Sequence, residues 1–380
     1  MKRRSFLTTA GAGGVAALTG CLGDGGATTA DEGTTTTGGT TASETGTTTG
    51  TAGGETPELV VATYGAFVDA PSTSPGPWLK DAFESEFDAT IRYETPDSEV
   101  NYYIERAARG VDIPADLYVG LDVNMLIRID ENLDAPLFAP VDGLERRDTV
   151  KESLEFDPQG RAVPYDTGYI CLVFDETFGD GDFAAPATFD GLLEDQFAGD
   201  LLTQNPVSSA TGKAFLLHTV AAKGRDGFLD YWQGLKENDV RVLEDWSTSY
   251  TAYSNGEAPM VVSYSTDQVY AHDSGEDLAK HQLRFLNDQG YANPEGMAMF
   301  ESTDRPELAR TFMDFVLRPD VQAEIAVRNV QYPATTTAEL PESFAKYAQE
   351  PPEAVTFNYD TLRDNLSEWT SAWERQFVGN

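Results

Sequence analysis

Residues 162–175 read Ala162-Val163-Pro164-Tyr165-Asp166-Thr167-Gly168-Tyr169-Ile170-Cys171-Leu172-Val173-Phe174-Asp175. The segment is long, extended in character and apolar in its second half. It interrupts a rhythm of short strands and helices on both sides. Such a run predicts that the chain passes here from one lobe to another. A second interruption lies around residues 261–270.

Working outward, Leu59-Val60-Val61-Ala62 is a short apolar run that ends at Tyr64-Gly65 and predicts a strand. Residues 77–87 place Trp78, Leu79, Ala82, Phe83 and Phe87 at helical spacing, with proline in the first turn. Residues 89–93 return to strand, 98–109 to helix, Leu117-Tyr118-Val119 to strand, and a helix starts near Asp122. Beyond the crossing come a strand at Leu201-Leu202-Thr203, helices from Thr211 and over 228–235, and a strand over 240–243. Residues 305–317 and 362–377 are again helical, and no internal repeat is present. Alternating strand and helix predicts an α/β fold with a largely parallel sheet.

Setting aside the first 56 residues leaves about 320, enough for two globular lobes. Hydrophobic residues make up 40% and aromatics 11%, so a sizeable core can form. With 63 acidic against 26 basic residues the net charge is −37, which argues against binding nucleic acid, whose phosphates need Lys and Arg. An even acidic coat resembles the surface of a protein from a salt-loving microbe of haloarchaeal type. Of the two cysteines, Cys171 has no structural partner if Cys21 is spent elsewhere, and His218, His272 and His281 form no metal-ligand spacing. Neither metal nor cofactor is expected.

The chain begins MKRRSFLTTAGAGGVAALTGC. Arg3-Arg4 before Ser5-Phe6-Leu7 is a twin-arginine export pattern. Leu18-Thr19-Gly20-Cys21 has the form of a lipobox, and the apolar run between them is far shorter than the roughly 20 residues a membrane span needs. A leader cut before Cys21, with lipid on that thiol, is the expectation. The Gly/Thr/Ala-rich tract that follows cannot bury enough apolar surface to fold and reads as a tether. The expected organisation is a signal over 1–20, lipidated Cys21 and tether over 21–56, the first part of lobe 1 over 57–163, lobe 2 over 164–267, and a return to lobe 1 with C-terminal helices over 268–380.

Four segments that follow apolar strands could carry a ligand, since open α/β sheets bind ligands beyond the carboxyl ends of their strands. In Val119-Gly120-Leu121-Asp122 the glycine permits close approach, and Asp122 is also placed to cap a helix. Asn205-Pro206-Val207-Ser208-Ser209-Ala210-Thr211-Gly212 offers hydroxyls and backbone N–H groups to an anion such as phosphate. The loop Asp245-Trp246-Ser247-Thr248-Ser249-Tyr250 and the run from Val262 to Tyr270 bring Trp246, Tyr264 and Tyr270 to strand ends, with Tyr64 joining from the first strand. Aromatic faces beside Asp122 and Asp267 suit a flat cationic ring. No histidine stands in a triad context, Cys171 lies in an apolar run, and Tyr102-Tyr103 could ligate ferric iron or simply pack.

These residues carry a resemblance. Tyr64, Ser74-Pro75-Gly76-Pro77, Val119-Gly120-Leu121-Asp122, Val163-Pro164-Tyr165-Asp166-Thr167-Gly168-Tyr169, Gln204-Asn205-Pro206, Trp246-Ser247 with Tyr250, Val262-Ser263-Tyr264 and Tyr332-Pro333 occur in order from about Glu58 to the end. In this the chain resembles the thiamine-binding periplasmic proteins of ABC importers, within the extracellular solute-binding proteins. The resemblance implies a two-lobed, type II periplasmic-binding-protein-like fold with its ligand cleft between the lobes. It implies no catalysis but delivery of thiamine, its phosphates or a similar heteroaromatic cation to an ABC permease and its ATPase, by a monomer held at the extracellular face of the membrane. It assigns ligand contacts to Asp122 with Val123 beside it, Ser209 with Ala210, Trp246, and Tyr264 with Ser265, Thr266 and Asp267; Tyr64 and Tyr270 match aromatic positions near the ring. Three positions depart: Val123 stands where asparagine is usual, a tryptophan near Ser74 is absent, and Val330 replaces a tryptophan before Gln331-Tyr332-Pro333. The alternatives are a ferric-iron receptor using Tyr102 and Tyr103, and a thiamine-degrading enzyme of similar fold using Cys171.

Overall fold

Leu59 and Val61 bury one face of the first strand, Val60 and Ala62 the other, so all four positions are apolar, as a strand covered on both sides requires. This strand is β1 (Glu58–Ala62). In the computed structural model, which describes residues 56–70, 73–179 and 181–377, the chain continues through α1 (Gly65–Asp69), α2 (Pro75–Glu86), β2 (Thr90–Glu94), α3 (Val100–Ala108), β3 (Leu117–Leu121), α4 (Val123–Asn132) and β4 (Phe138–Ala139). The twin-arginine signal, Cys21 and all but the last residue of the predicted tether lie outside the described residues. Among the described residues no helix is long and apolar enough to cross a membrane.

The quoted run forms one strand, β5 (Ala162–Phe174), and all of its residues are buried. There follow β6 (Leu201–Gln204), α5 (Ala210–Lys223), α6 (Phe228–Glu237), β7 (Arg241–Leu243), α7 (Trp246–Ser254), β8 (Met260–Tyr264), α8 (Asp267–Ser274), β9 (Gln282–Arg284) and β10 (Gln289–Phe300). The chain ends with α9 (Pro306–Val316), α10 (Pro319–Asn329), β11 (Tyr332–Pro333), α11 (Glu342–Tyr347), β12 (Glu353–Val355) and α12 (Tyr359–Phe377).

The main sheet runs in the order β2-β1-β3-β10-β5-β8-β6-β7. At one end β1 pairs in parallel with β2 and β3; at the other β6 pairs in parallel with β7 and β8. The two central strands run antiparallel to each other and to their flanks. The first half of β5 pairs with β10 where β10 also pairs with β3; its second half, from Ile170, pairs with β8. Thus β5 joins the first half of the main sheet to the second. β10 runs back along β5 to β3, while β8 lies between β5, to which it is antiparallel, and β6, to which it is parallel. Residues 282–284 still pair with β5 at Leu172–Phe174, on the second lobe's side, before β10 begins.

One apolar cluster fills the first lobe between β1, β3 and the helices α2 and α9, with Phe83 and Phe312 at its centre. Another runs from Tyr103 and Tyr118 in the first lobe to Phe215 and Trp232 in the second, joined by Trp369 and Trp373 of α12. The C-terminal helix touches both lobes. Tyr359 donates to Asp130 of α4, and Trp373 packs edge-on against Trp232 of α6 at 5.4 Å. Asp130 also accepts both outer nitrogens of buried Arg161, at 2.6 and 2.8 Å, beside buried Asp157.

Candidate functional site

The first lobe contributes the turn after β3. Asp122 caps α4: its Oδ1 accepts from the Met125 N–H at 2.7 Å, and its Oδ2 accepts from the Asn124 amide at 3.1 Å. The Val123 side chain packs into the core, 8% exposed, so it presents no polar group at the turn. Gly120 has φ +92°, a region glycine enters freely. A β-carbon there would lie 2.5 Å from the Tyr64 ring and 3.7 Å from Glu295 Oε2, so this turn seats Tyr64 directly on backbone.

The second lobe contributes three helix starts. Ser209 caps α5 through the Gly212 N–H, with Ala210 exposed beside it. The Asp245–Tyr250 segment is not a loop but the beginning of α7, capped by Asp245. Trp246 is 39% exposed, stacks on Tyr250 at 4.8 Å and donates from Nε1 to Ser263 Oγ at 3.0 Å. The buried amide of Gln204 donates to Ser249 Oγ and to the Val262 carbonyl, tying α7 to the sheet. Tyr264 ends β8 with its ring over Gly168 of β5, where a β-carbon would come within 2.5 Å of it. Its hydroxyl accepts from Thr211 at 3.4 Å, and burial pushes it up to about 12. Ser265 and Thr266 are buried at the start of α8, the Ser265 N–H donating to the Tyr169 carbonyl. Tyr270 is half-buried one turn further on.

Asp267 differs from the expectation. Its carboxylate accepts from Tyr250 at 2.6 Å and pairs with His281 Nδ1 at 2.7 Å, while His281 Nε2 meets Glu276 at 3.0 Å. Burial alone would lower the imidazole; the two flanking carboxylates outweigh it and raise it. Asp267 therefore braces α7 against α8 rather than standing free for a ligand. Beyond this network lies a cavity of about 380 Å³ lined by Asp175, Tyr253, Glu276, Asp277, Lys280 and His281, none of them a predicted site residue.

Between the lobes lies a group that the sequence reading did not assign. Asp166 on β5 stands opposite Glu295 on β10. Asp166 is 1% exposed; its Oδ2 accepts from Asn329 at 2.7 Å, and its Oδ1 is buried without a partner. Glu295 is half-buried, and its Oε2 accepts from the Tyr165 hydroxyl at 2.8 Å. The Tyr64 hydroxyl donates to the other face of Asn329 at 3.3 Å. Burial pushes Glu295 up to about 7, with the Asp122 charge adding to it, and burial with the Glu295 charge raises Asp166. Among the described residues, Asp122, Asp166 and Glu295 have no ion pair to Lys or Arg. Lys213 of α5, half-buried and lowered by desolvation, faces Asp122 without pairing to it. Val330, where the resemblance leads one to expect a tryptophan, sits at φ +53°, a strained position for a β-branched residue, next to Asn329 of this group.

The other candidates sit elsewhere. Cys171 is buried in the middle of β5, and burial raises its thiol, the reverse of an activated nucleophile. Tyr103 is fully buried and donates to Glu94 at 3.4 Å, while Tyr102 packs against it at 5.0 Å and accepts from Arg106. Among the described residues no group of three His, Cys, Asp or Glu is arranged to hold a metal.

Comparison with known proteins agrees with this architecture. The chain is 28% identical over 323 residues to the thiamine-binding periplasmic protein of Escherichia coli (strain K12), covering 84% of this chain and 93% of that one. It is 27% identical over 322 residues to the thiamine-binding periplasmic protein of Brucella melitensis, covering 84% and 92%. Among solved structures it matches a periplasmic thiamin binding protein with TM-score 0.71 at 26% identity, over 84% of this chain and 96% of that one. A ferric binding protein from Campylobacter jejuni, at 16% identity and TM-score 0.67 over 84% and 99%, shares the two-lobed mixed α/β fold. A model of the bacterial extracellular solute-binding proteins matches residues 78–352, and the chain belongs to that family.

Proposed function

We propose that this protein is the substrate-binding component of an ABC importer and that it captures thiamine, thiamine phosphates or a closely similar heteroaromatic cation. One observation carries the reading. Tyr64 and Asp122 from the first lobe and Tyr264 from the second converge on the crossing strands, beside carboxyls that no lysine or arginine pairs among the described residues. Such a site suits a positive flat ring: aromatic faces supply dispersion and cation–π attraction, and the acids supply charge. Trp246, exposed and held at one edge by Ser263, is available to stack. The start of α5, with Ser209, Thr211 and Lys213, suits the phosphate of a phosphorylated ligand. The names of the relatives support the same ligand.

Closure of the lobes would desolvate the ligand and present one surface to the permease and its ATPase. We place the protein at the extracellular face of the membrane, anchored as a monomer by lipid on Cys21 after twin-arginine export. Its role is binding, without chemistry on the ligand. Titration calorimetry with thiamine tests the site: Trp246→Ala and Tyr264→Ala should each weaken binding by about tenfold or more, since one aromatic stack is worth about 1–3 kcal/mol. Unchanged affinity in both would overturn the assignment. Mass spectrometry of ligand released from natively purified protein identifies the compound.

A further inference from the structure

The carboxyls of Asp166 and Glu295 are set where the two crossing strands meet, one register step from the bulge between Glu295 and Gly296. Two acids opposite each other, one buried and one half-buried, resist double ionisation, because each charge loses hydration and repels the other. Asn329 donates to Asp166 and the Tyr165 hydroxyl to Glu295, but these are neutral donors, and among the described residues no cation joins them. Tyr64, Tyr118, Tyr165 and Tyr264 are neutral; Asp122 and Glu99 add negative charge; Arg128 and Lys213 act on Glu99 and Asp122, and neither bonds the pair. The buried Oδ1 of Asp166, without a partner, is where an uncompensated charge would be most costly. Only Glu295 is open enough to meet a ligand, and its Oε2 lies against the Gly120 turn that seats Tyr64.

We infer that the Asp166–Glu295 pair is the charge-selecting element of the cleft: the empty protein holds one proton on the pair, and a cationic ring settling against Glu295 replaces it. The proton leaves to solvent as the ligand's positive charge arrives, so the charge at the hinge is conserved. A neutral ring of the same shape releases no proton and leaves the pair protonated. Because the two acids lie on different crossing strands, the exchange happens at the hinge about which the lobes close. This inference rests on the proposed binding of a cationic ring.

The test is titration calorimetry of the whole protein with thiamine near pH 7.5, where the aminopyrimidine of free thiamine is neutral, in phosphate and in Tris. The slope of heat against buffer ionisation enthalpy counts protons. The expected result is release of a fraction of a proton up to about one per thiamine. Glu295→Gln should abolish the release and weaken thiamine by about tenfold, as loss of a charged contact does, while leaving the neutral thiophene analogue of thiamine within about twofold. Equal heats in the two buffers, or proton uptake, with thiamine bound, would overturn the inference alone and needs no variant. Failure of the unmodified protein to bind thiamine would overturn the ligand reading and this inference with it.

Discussion

The Tyr64 ring occupies the space that a β-carbon on Gly120 would need, at 2.5 Å. The strand-to-helix turn of the first lobe therefore sets an aromatic of the proposed site by leaving a side chain out. Gly120→Ala meets two costs at once: a positive φ that L-residues resist and a clash with the ring. We expect Gly120→Ala to lower stability by about 1–3 kcal/mol and to weaken thiamine binding, because Tyr64 and Asp122 both move. Thermal melting and calorimetry on the same preparation check both; full affinity would show that Tyr64 does not contribute.

Arg161 is buried between Asp130 and Asp157, at the start of the first crossing strand. Its loss leaves two carboxylates facing each other without a cation. Arg161→Leu should cost about 3–5 kcal/mol, the range for breaking one side of a buried ion pair. Denaturant unfolding measures it. Adding Asp157→Asn should return part of the loss, and strict additivity of the two changes would contradict the coupling.

The hinge acids also make the ligand-free protein sensitive to pH. Glu295 and Asp166 both bind protons more tightly folded than unfolded. Their protonated state stabilises the fold below the ordinary carboxylate range, and that contribution is lost as pH rises through about 7 for Glu295. His281, raised by its two carboxylates, acts in the same direction. In strong acid the opposite sign takes over, because Asp130 is held low by its partners and loses its contribution as pH falls through the ordinary carboxylate range. The apparent Tm without ligand should therefore fall between about pH 5 and pH 8. Glu295→Gln should flatten that slope; an unchanged slope would remove Glu295 and leave the effect to Asp166 and His281.

A net charge of −37 repels itself over distances that salt sets. The screening length falls from about 10 Å at 0.1 M salt to about 3 Å at 1 M. Melting temperature should rise steadily over that range, and a flat curve would remove the link between this acidity and a salty habitat.

Much of the fold is legible in the chain because burial on both faces writes a continuous apolar run. Residues 59–62, 117–119 and 170–174 can be read directly as strands, and the 162–175 run as a crossing. The return crossing is not legible. Gln289-Gly290-Tyr291-Ala292-Asn293-Pro294-Glu295-Gly296 carries glycine, asparagine and proline, residues that locally favour turns. It is a strand because β3 and β5 hydrogen-bond it from both sides, which overrides local preference. The Asp245–Tyr250 segment reads as a loop for a similar reason: serine and threonine mask a helix that Asp245 caps and the sheet holds.

Single residues of the site follow the same division. Tyr64, Asp122, Ser209, Trp246 and Tyr264 are marked in the sequence because each follows a strand and begins or adjoins a helix, a relation between chain neighbours. Asp267 follows the same rule, and only the tertiary structure shows its carboxylate engaged by Tyr250 and His281. The sequence alone determined the α/β alternation, the place of the first crossing and the chemistry of the residues that the turns offer. The tertiary structure alone decided that Asp166 faces Glu295. Strand register brings together residues far apart in the chain, and that juxtaposition, which no local pattern encodes, is what sets two ordinary acids against each other.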